Sequence, residues 1–251
     1  MALIRCYFKS DILQLNTSMT VILPEVSTSG SKTNYPTLYL LHGLSDDDTI
    51  WMRKTSIERY VEHLNLAVIM PQVHRSFYTD MVHGNKYWTF LTEELPKASR
   101  AFFPLSNRRE DTFVAGLSMG GYGALKWALS KPGEICAAAS LSGAVDVAAM
   151  MEHEHSMSDD FSNVFGNESV QNTKHDLFSL LHRMTSGAGP TPRIFQCCGT
   201  EDFLYDDNQK FRTACENSRL DYHYQESPGN HDWAYWDMQI QSVIDWIQQH
   251  G

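Results

Sequence analysis

Residues 111–129 read D-T-F-V-A-G-L-S-M-G-G-Y-G-A-L-K-W-A-L, and the order of events in this stretch decides the fold. Asp111–Ala115 is a short apolar run of the kind that forms a strand buried on both faces. Met119–Leu129 places Ala124, Leu125 and Ala128 at helical spacing. Between the two, Gly116-Leu117-Ser118-Met119-Gly120 fits G-x-S-x-G. The pentapeptide alone is a modest signal, but a nucleophile elbow requires this strand–turn–helix context. Glycines at both ends let the strand and helix backbones approach closely around a strained serine. The Ser118 hydroxyl is then expected at the carboxyl edge of the sheet, where a helix N-terminus favours developing negative charge. A P-loop is excluded because no G-K-[ST] follows. A dinucleotide fingerprint fits poorly, since the elbow comes late and its first two glycines are four apart.

Working outward, similar buried runs recur at Thr37–Leu41, Leu66–Met70, Ala137–Leu141, Arg193–Cys198 and Asp221–Gln225. Helical patterns fall between them, at Ser56–Leu64, at Tyr87–Phe103 with a kink expected at Pro96, at Asp207–Asn217 and at His231–Gln249. This alternation predicts an α/β fold, a mostly parallel central sheet with helices on both faces. Ala2–Phe8 and Thr17–Leu23 are expected as antiparallel edge strands, joined onward by a turn or loop over 27–35 around Gly30. Residues 146–192 break the rhythm, rich in Met, His, Ser and Asn with weak periodicity. They read as a small cap-like insertion over the active site, so that 1–251 forms one domain.

Composition agrees. The 251 residues are 42% apolar and 20% charged, ordinary for a globular chain that needs no disulfide or metal staple. The formal net charge of −10 argues against binding nucleic acid through a basic face. Five cysteines without a C-x-x-C pair form neither a disulfide framework nor a zinc knuckle. Arg5, Lys9 and Asp11 interrupt any signal-peptide core, and no run is apolar enough to span a bilayer. The expected location is the cytoplasm. Homo-oligomer formation stays open.

A serine is a weak nucleophile until a base takes its proton. In this fold the partners follow in the order Ser, Asp/Glu, His. His175 and His182 fall in the insertion, His223 inside a strand and His250 at the chain end. His231 follows the turn Ser227-Pro228-Gly229-Asn230 at the end of a late strand, where catalytic residues collect in open α/β sheets. It is the candidate base. The acid is sought in Cys198-Gly199-Thr200-Glu201-Asp202, with Asp202 as first candidate and Glu201, Asp206 and Asp207 as rivals that spacing alone does not separate. The oxyanion of a tetrahedral intermediate needs two amide donors. One is expected from Met119. The other is expected from the loop Leu41-His42-Gly43-Leu44-Ser45, at Leu44 with Gly43 as the alternative. His42 reads as a packing residue that fixes this loop.

With these residues in hand the chain resembles the tributyrin esterase branch of the esterase D / S-formylglutathione hydrolase family, within the α/β-hydrolases. The matching stretches are L-L-H-G-L-S (40–45), W-M-R-K-T-S-I-E-R-Y (51–60), Y-T-D (78–80), E-L-P (94–96), F-V-A-G-L-S-M-G-G-Y-G-A-L-K (113–126), C-G-T-E-D-F-L-Y (198–205) and G-N-H-D-W (229–233). The resemblance spans nearly the whole chain in family order. It implies Ser118 as nucleophile, Asp202 rather than Glu201 as acid, His231 as base, and Leu44 and Met119 as oxyanion donors. It also implies hydrolysis of short-chain acyl esters without a cofactor. Related members act on S-formylglutathione, on acetyl or feruloyl polysaccharide esters, or as acyltransferases. Two departures stand out. The glutathione-hydrolase subgroup usually carries G-H-S-M-G-G-H-G-A, where this chain has Leu117 and Tyr122. Asp46-Asp47-Asp48 stands where relatives often carry small or neutral residues, and three acids at a pocket mouth would repel anionic substrates.

Trp51, Tyr78 and Trp233, with Tyr87, are candidates for the pocket lining, against core packing as the plainer reading. Glu152-His153-Glu154-His155 is not a zinc motif and reads as a solvated loop, so no metal is expected. Cys197-Cys198 reads as the end of a buried strand.

Overall fold

The computed structural model describes residues 1–25, 34–153 and 157–249. The turn expected around Gly30, the Glu154-His155 pair and His250 lie outside the described residues. Eight strands form one sheet: β1 Ala2–Ser10, β2 Leu15–Leu23, β3 Thr37–Leu41, β4 Ala67–Pro71, β5 Thr112–Leu117, β6 Ala137–Leu141, β7 Arg193–Gly199 and β8 Tyr222–Ser227. Their spatial order is β1-β2-β4-β3-β5-β6-β7-β8. β1 and β2 are antiparallel additions at one edge, and the other six strands run parallel.

Fully buried parallel strands must be apolar on both faces, and β3 shows how the sequence meets that need. Tyr39 and Leu41 point into one core, with Leu125, Trp127 and Ala128 of the helix α5 (Met119–Ser130). Leu38 and Leu40 point into the other, with Ile240, Val243 and Ile247 of α10 (Trp233–Gln248). The sheet is therefore covered on both sides, the α/β-hydrolase arrangement.

The remaining helices are α1 Ile50–Lys54, α2 Ile57–Val61, α3 Tyr87–Thr89, α4 Leu95–Phe102, α6 Val147–His153, α7 Ser158–Phe165, α8 Leu177–Ser186 and α9 Tyr205–Glu216. α3 and α4 are joined by a π turn over Phe90–Glu94. Pro96 has no amide to offer the Thr92 carbonyl, so the helix widens just ahead of it instead of simply kinking. Among its described residues the weakly periodic segment 146–192 holds helices α6, α7 and α8. Leu177, Leu180 and Leu181 of α8 join the core on the α5 side of the sheet, and Asp176 caps the helix by accepting the Phe178 and Ser179 amides. Among the described residues no helix is long and apolar enough to cross a membrane. Cys197 and Cys198 are buried free thiols in β7.

Candidate active site

Ser118 stands between β5 and α5 with φ 51° and ψ −117°, a region that side chains with a Cβ rarely adopt. Two glycines make that turn possible. A Cβ on Gly116 would stand 2.4 Å from the Gly120 carbonyl group, and one on Gly120 would stand 2.5 Å from the Leu41 oxygen. The Ser118 amide donates to the Leu141 carbonyl at 2.9 Å, which pins the strained residue to the end of β6.

The sheet brings the distant partners to this serine. His231 Nε2 lies 3.0 Å from Ser118 Oγ, and His231 Nδ1 lies 2.9 and 3.1 Å from the two Asp202 carboxylate oxygens. Asp202 Oδ1 also accepts the Leu204 amide at 2.8 Å. Burial alone would raise the Asp202 carboxyl. The His231 hydrogen bond and charge, with the Leu204 amide, outweigh burial and hold it below the usual carboxylate range. The imidazole is gripped between rings, with Phe203 4.6 Å from it and Trp236 edge-on at 4.9 Å.

Glu201 and Asp207, two of the rivals of Asp202, are engaged elsewhere. Glu201 accepts the Gly229 amide, and its own amide donates to the Gly229 carbonyl, so it ties the Asp202 loop to the His231 loop. Asp207 pairs with Lys210 at 2.7 Å. His175 and His223 do not line the cleft at Ser118.

Leu44 and Met119 both line that cleft, of about 440 Å³. Met119 opens α5, so its amide has no acceptor within the helix. The loop carrying Leu44 is held from behind. His42 Nε2 accepts the Val73 amide at 3.2 Å, which leaves the proton on Nδ1 to be donated to the Gly43 carbonyl at 2.7 Å. Burial pushes the His42 pKa down, so the ring is neutral.

Two of the aromatic pocket candidates belong to this support and not to the lining. Trp51 and Tyr78 are buried and absent from the cleft wall. Trp51 Nε1 donates to the Leu41 carbonyl at 3.1 Å, and the Tyr78 hydroxyl donates to the His42 carbonyl at 2.9 Å. An aromatic ring with a polar tip anchors a backbone turn from within the core, and nothing in its spacing distinguishes that from a pocket wall. Trp233 lines the cleft and meets Trp51 edge to face. Tyr87 is buried away from the cleft. Sequence reasoning missed Phe77, Phe203 and Trp236 in the lining; Phe203, beside Asp202 and 68% exposed, had no periodic signal to mark it.

The triple aspartate splits three ways. Asp46 lines the cleft, and burial raises its carboxyl. Asp47 accepts the Thr49 amide and hydroxyl at 2.8 and 2.6 Å. Asp48 is buried on the Thr20 and Ser18 hydroxyls. One acid, not three, therefore faces the substrate space from this run. Among the described lining residues the ionisable groups are Asp46, Asp232 and His231, with no Lys or Arg.

The protein-family model described as "Esterase: Putative esterase" matches residues 10–246. The chain belongs to the Esterase family. It is 30% identical to an acetyl esterase of Caldicellulosiruptor saccharolyticus over 99% of each chain. It superposes on FphF, a fluorophosphonate-binding serine hydrolase of Staphylococcus aureus, with a TM-score of 0.91 and 38% identity over 98% of each chain. An S-formylglutathione hydrolase (FrmB) of the same organism gives 0.89 and 37%, again over 98% of each. This member of the family is thus an ester-hydrolysing enzyme on an α/β-hydrolase fold.

Proposed function

We propose that this esterase cleaves small, short-chain acyl esters through an acyl-enzyme on Ser118. The observation that carries the reading is the unbroken chain from Ser118 Oγ to His231 at 3.0 Å and on to Asp202 at 2.9 Å. Asp202 holds Nδ1–H, so Nε2 faces the serine as a base. Ser118 Oγ attacks the ester carbonyl carbon as His231 Nε2 takes the hydroxyl proton. The Leu44 and Met119 amides stabilise the oxyanion. The tetrahedral species collapses, the C–O bond to the alcohol breaks, and His231 returns its proton to the leaving oxygen. Water, deprotonated by His231, then attacks the acyl-enzyme, and the carboxylic acid leaves as Ser118 is regenerated.

The acetyl esterase relative points to a short acyl group. Met150 and Met157 reach the cleft from 146–192, which supports reading that segment as a cap on a single domain. The five free cysteines suit a reducing compartment, and we place the enzyme in the cytoplasm.

The test is a C2–C12 series of p-nitrophenyl esters on the wild type and Ser118→Ala, with S-formylglutathione alongside. Turnover that peaks at C2–C6 and vanishes in the variant supports the proposal. A kcat/KM for S-formylglutathione far above that of every oxoester moves the assignment to the thioesterase reading suggested by the FrmB neighbour.

A further inference from the structure

We propose that the cavity between α5 and α8 is a second ligand site, for an amphiphilic monocarboxylate. It encloses about 570 Å³, more than the Ser118 cleft, and the two linings share no residue. Lys126 reaches it from α5, eight residues beyond Ser118, about 12 Å along the helix axis.

The wall carries a buried lysine with no carboxylate in contact among the described residues. Lys126 is 2% exposed. Its Nζ donates to Thr79 Oγ1 at 2.6 Å and to the Tyr78 carbonyl at 3.2 Å, with His175 Nδ1 at 3.4 Å, and it lies 4.7 Å from the Trp88 ring centre. All are neutral. Among the described residues no carboxylate pairs with it. The acid on the wall, Asp80, has its oxygens engaged by the Thr89 amide and hydroxyl. Burial, then Lys174, push the Lys126 pKa well down and Asp80 only partly opposes this, so a carboxylate entering the cavity would favour the charged form of the lysine.

The rim adds to the positive potential. Arg183 donates to the Asn172 and Thr173 carbonyls, which leave its charge uncompensated, and Lys174 stands beside it; Lys131 is offset by Glu134 at 3.5 Å. His175 responds to this field: burial, then Lys126 and Lys174, push its pKa down to about 3. All this occurs on a chain of net charge −10. Trp88, Leu129, Leu180 and Met184 form an apolar stretch of the wall, placed to cover a hydrocarbon tail. Inorganic phosphate could meet the basic rim but would leave the apolar wall uncovered. A carboxylate head with a chain of several carbons satisfies both halves.

Isothermal titration of sodium octanoate into the full chain at pH 7 tests this, with octan-1-ol as the uncharged probe. The variants are Lys174→Glu, at an exposed position, and Met184→Trp, which fills the cavity. Expected are one saturable octanoate site per chain, affinity reduced at least tenfold in Lys174→Glu, no binding in Met184→Trp, and octanol at least tenfold weaker than octanoate. Undiminished binding in both variants puts octanoate elsewhere, in the Ser118 cleft for example, and overturns the proposal. So does the absence of saturable binding to the wild type, or octanol binding as tightly as octanoate.

Discussion

His42 Nε2 accepts the Val73 amide at 3.2 Å, while its own carbonyl receives the Tyr78 hydroxyl at 2.9 Å. One buried neutral histidine thus ties the end of β4 to the loop that presents Leu44. In His42→Phe the Val73 amide and Gly43 carbonyl lose their partners in a buried site. The expected cost is about 2–4 kcal/mol of stability, read from the urea unfolding midpoint. The expected loss in kcat is about 10–100-fold as the Leu44 amide loses its placement. A kcat at the wild-type level would show that the loop holds itself.

The division of labour between neighbouring acids is open to a direct comparison. Asp202→Asn removes the acceptor that fixes the His231 tautomer and is expected to lower kcat by roughly 10³–10⁴ with little change in KM. Glu201→Gln disturbs the tie to the Gly229 amide and the Thr200 hydroxyl and is expected to cost less than about tenfold. Steady-state kinetics on p-nitrophenyl acetate separates the two; equal losses would contradict the assignment of the acid.

Close approach at the elbow is equally testable. In Gly120→Ala the new methyl meets the Leu41 and His42 oxygens at 2.5 and 2.8 Å, backbone atoms that have no room to retreat. The variant is expected to lose more than about 3 kcal/mol or to fail to accumulate as soluble protein. Gly133→Ala meets nothing within 4 Å. It is the control, expected within about 0.5 kcal/mol of wild type by chemical denaturation.

The buried histidines set an acid limit on stability. His42 and His175 both have lowered pKa values in the folded chain, His175 to about 3, chiefly through burial. Unfolded, each titrates near ~6.5. Below that pH the unfolded chain binds more protons than the folded one, so stability is complete above about 6.5 and declines as pH falls. The slope is at most about 1.4 kcal/mol per pH unit for each histidine. The depressed Asp202 carboxyl adds a loss in the same direction below about pH 4. His175→Gln keeps an acceptor for Lys126 but cannot titrate. Its urea midpoint is expected to fall less between pH 7 and pH 5 than that of the wild type, and an identical fall in both would remove His175 from the account.

Charge in the cleft should appear in substrate preference. With Asp46 and Asp232 on the wall and no Lys or Arg among the described lining residues, anionic esters are expected to react more slowly than neutral ones of the same length. Asp46→Asn is expected to raise kcat/KM for the anionic ester about 3–10-fold, with the gain shrinking in high salt. No change for either ester would mean that Asp46 does not face the bound substrate.

Local chemistry carried much of the architecture. Short apolar runs punctuated by Gly or Pro mark parallel strands because only a strand buried on both faces is apolar throughout, and G-L-S-M-G between a strand and a helix marks a strained turn. Ser118 and His231 were candidates for the same reason, each lying just past the end of a strand, and the acid was narrowed to the loop after β7. The rest depended on distances that a linear chain does not contain. Glu201 and Asp202 are adjacent in sequence and spacing does not separate them; the resemblance favoured Asp202, and the hydrogen bonds of the folded loops give Glu201 to the Gly229 amide and Asp202 to His231. Trp51 and Tyr78 have the composition of a pocket wall, yet packing turns them inward, where their polar tips hold the Leu41 and His42 carbonyls. Asp46, Asp47 and Asp48 are identical letters sent to a cleft, a turn and a core. Segment 146–192 looked irregular because its helices are short and share their apolar faces with α5 and the cleft, so each shows too few periods to stand out alone. Chain order and side-chain type were enough for which elements form and in what sequence. Which face of each element is buried, and which of two like neighbours meets a given partner, was set by tertiary packing, because burial and hydrogen bonding are properties of pairs brought together across the sheet.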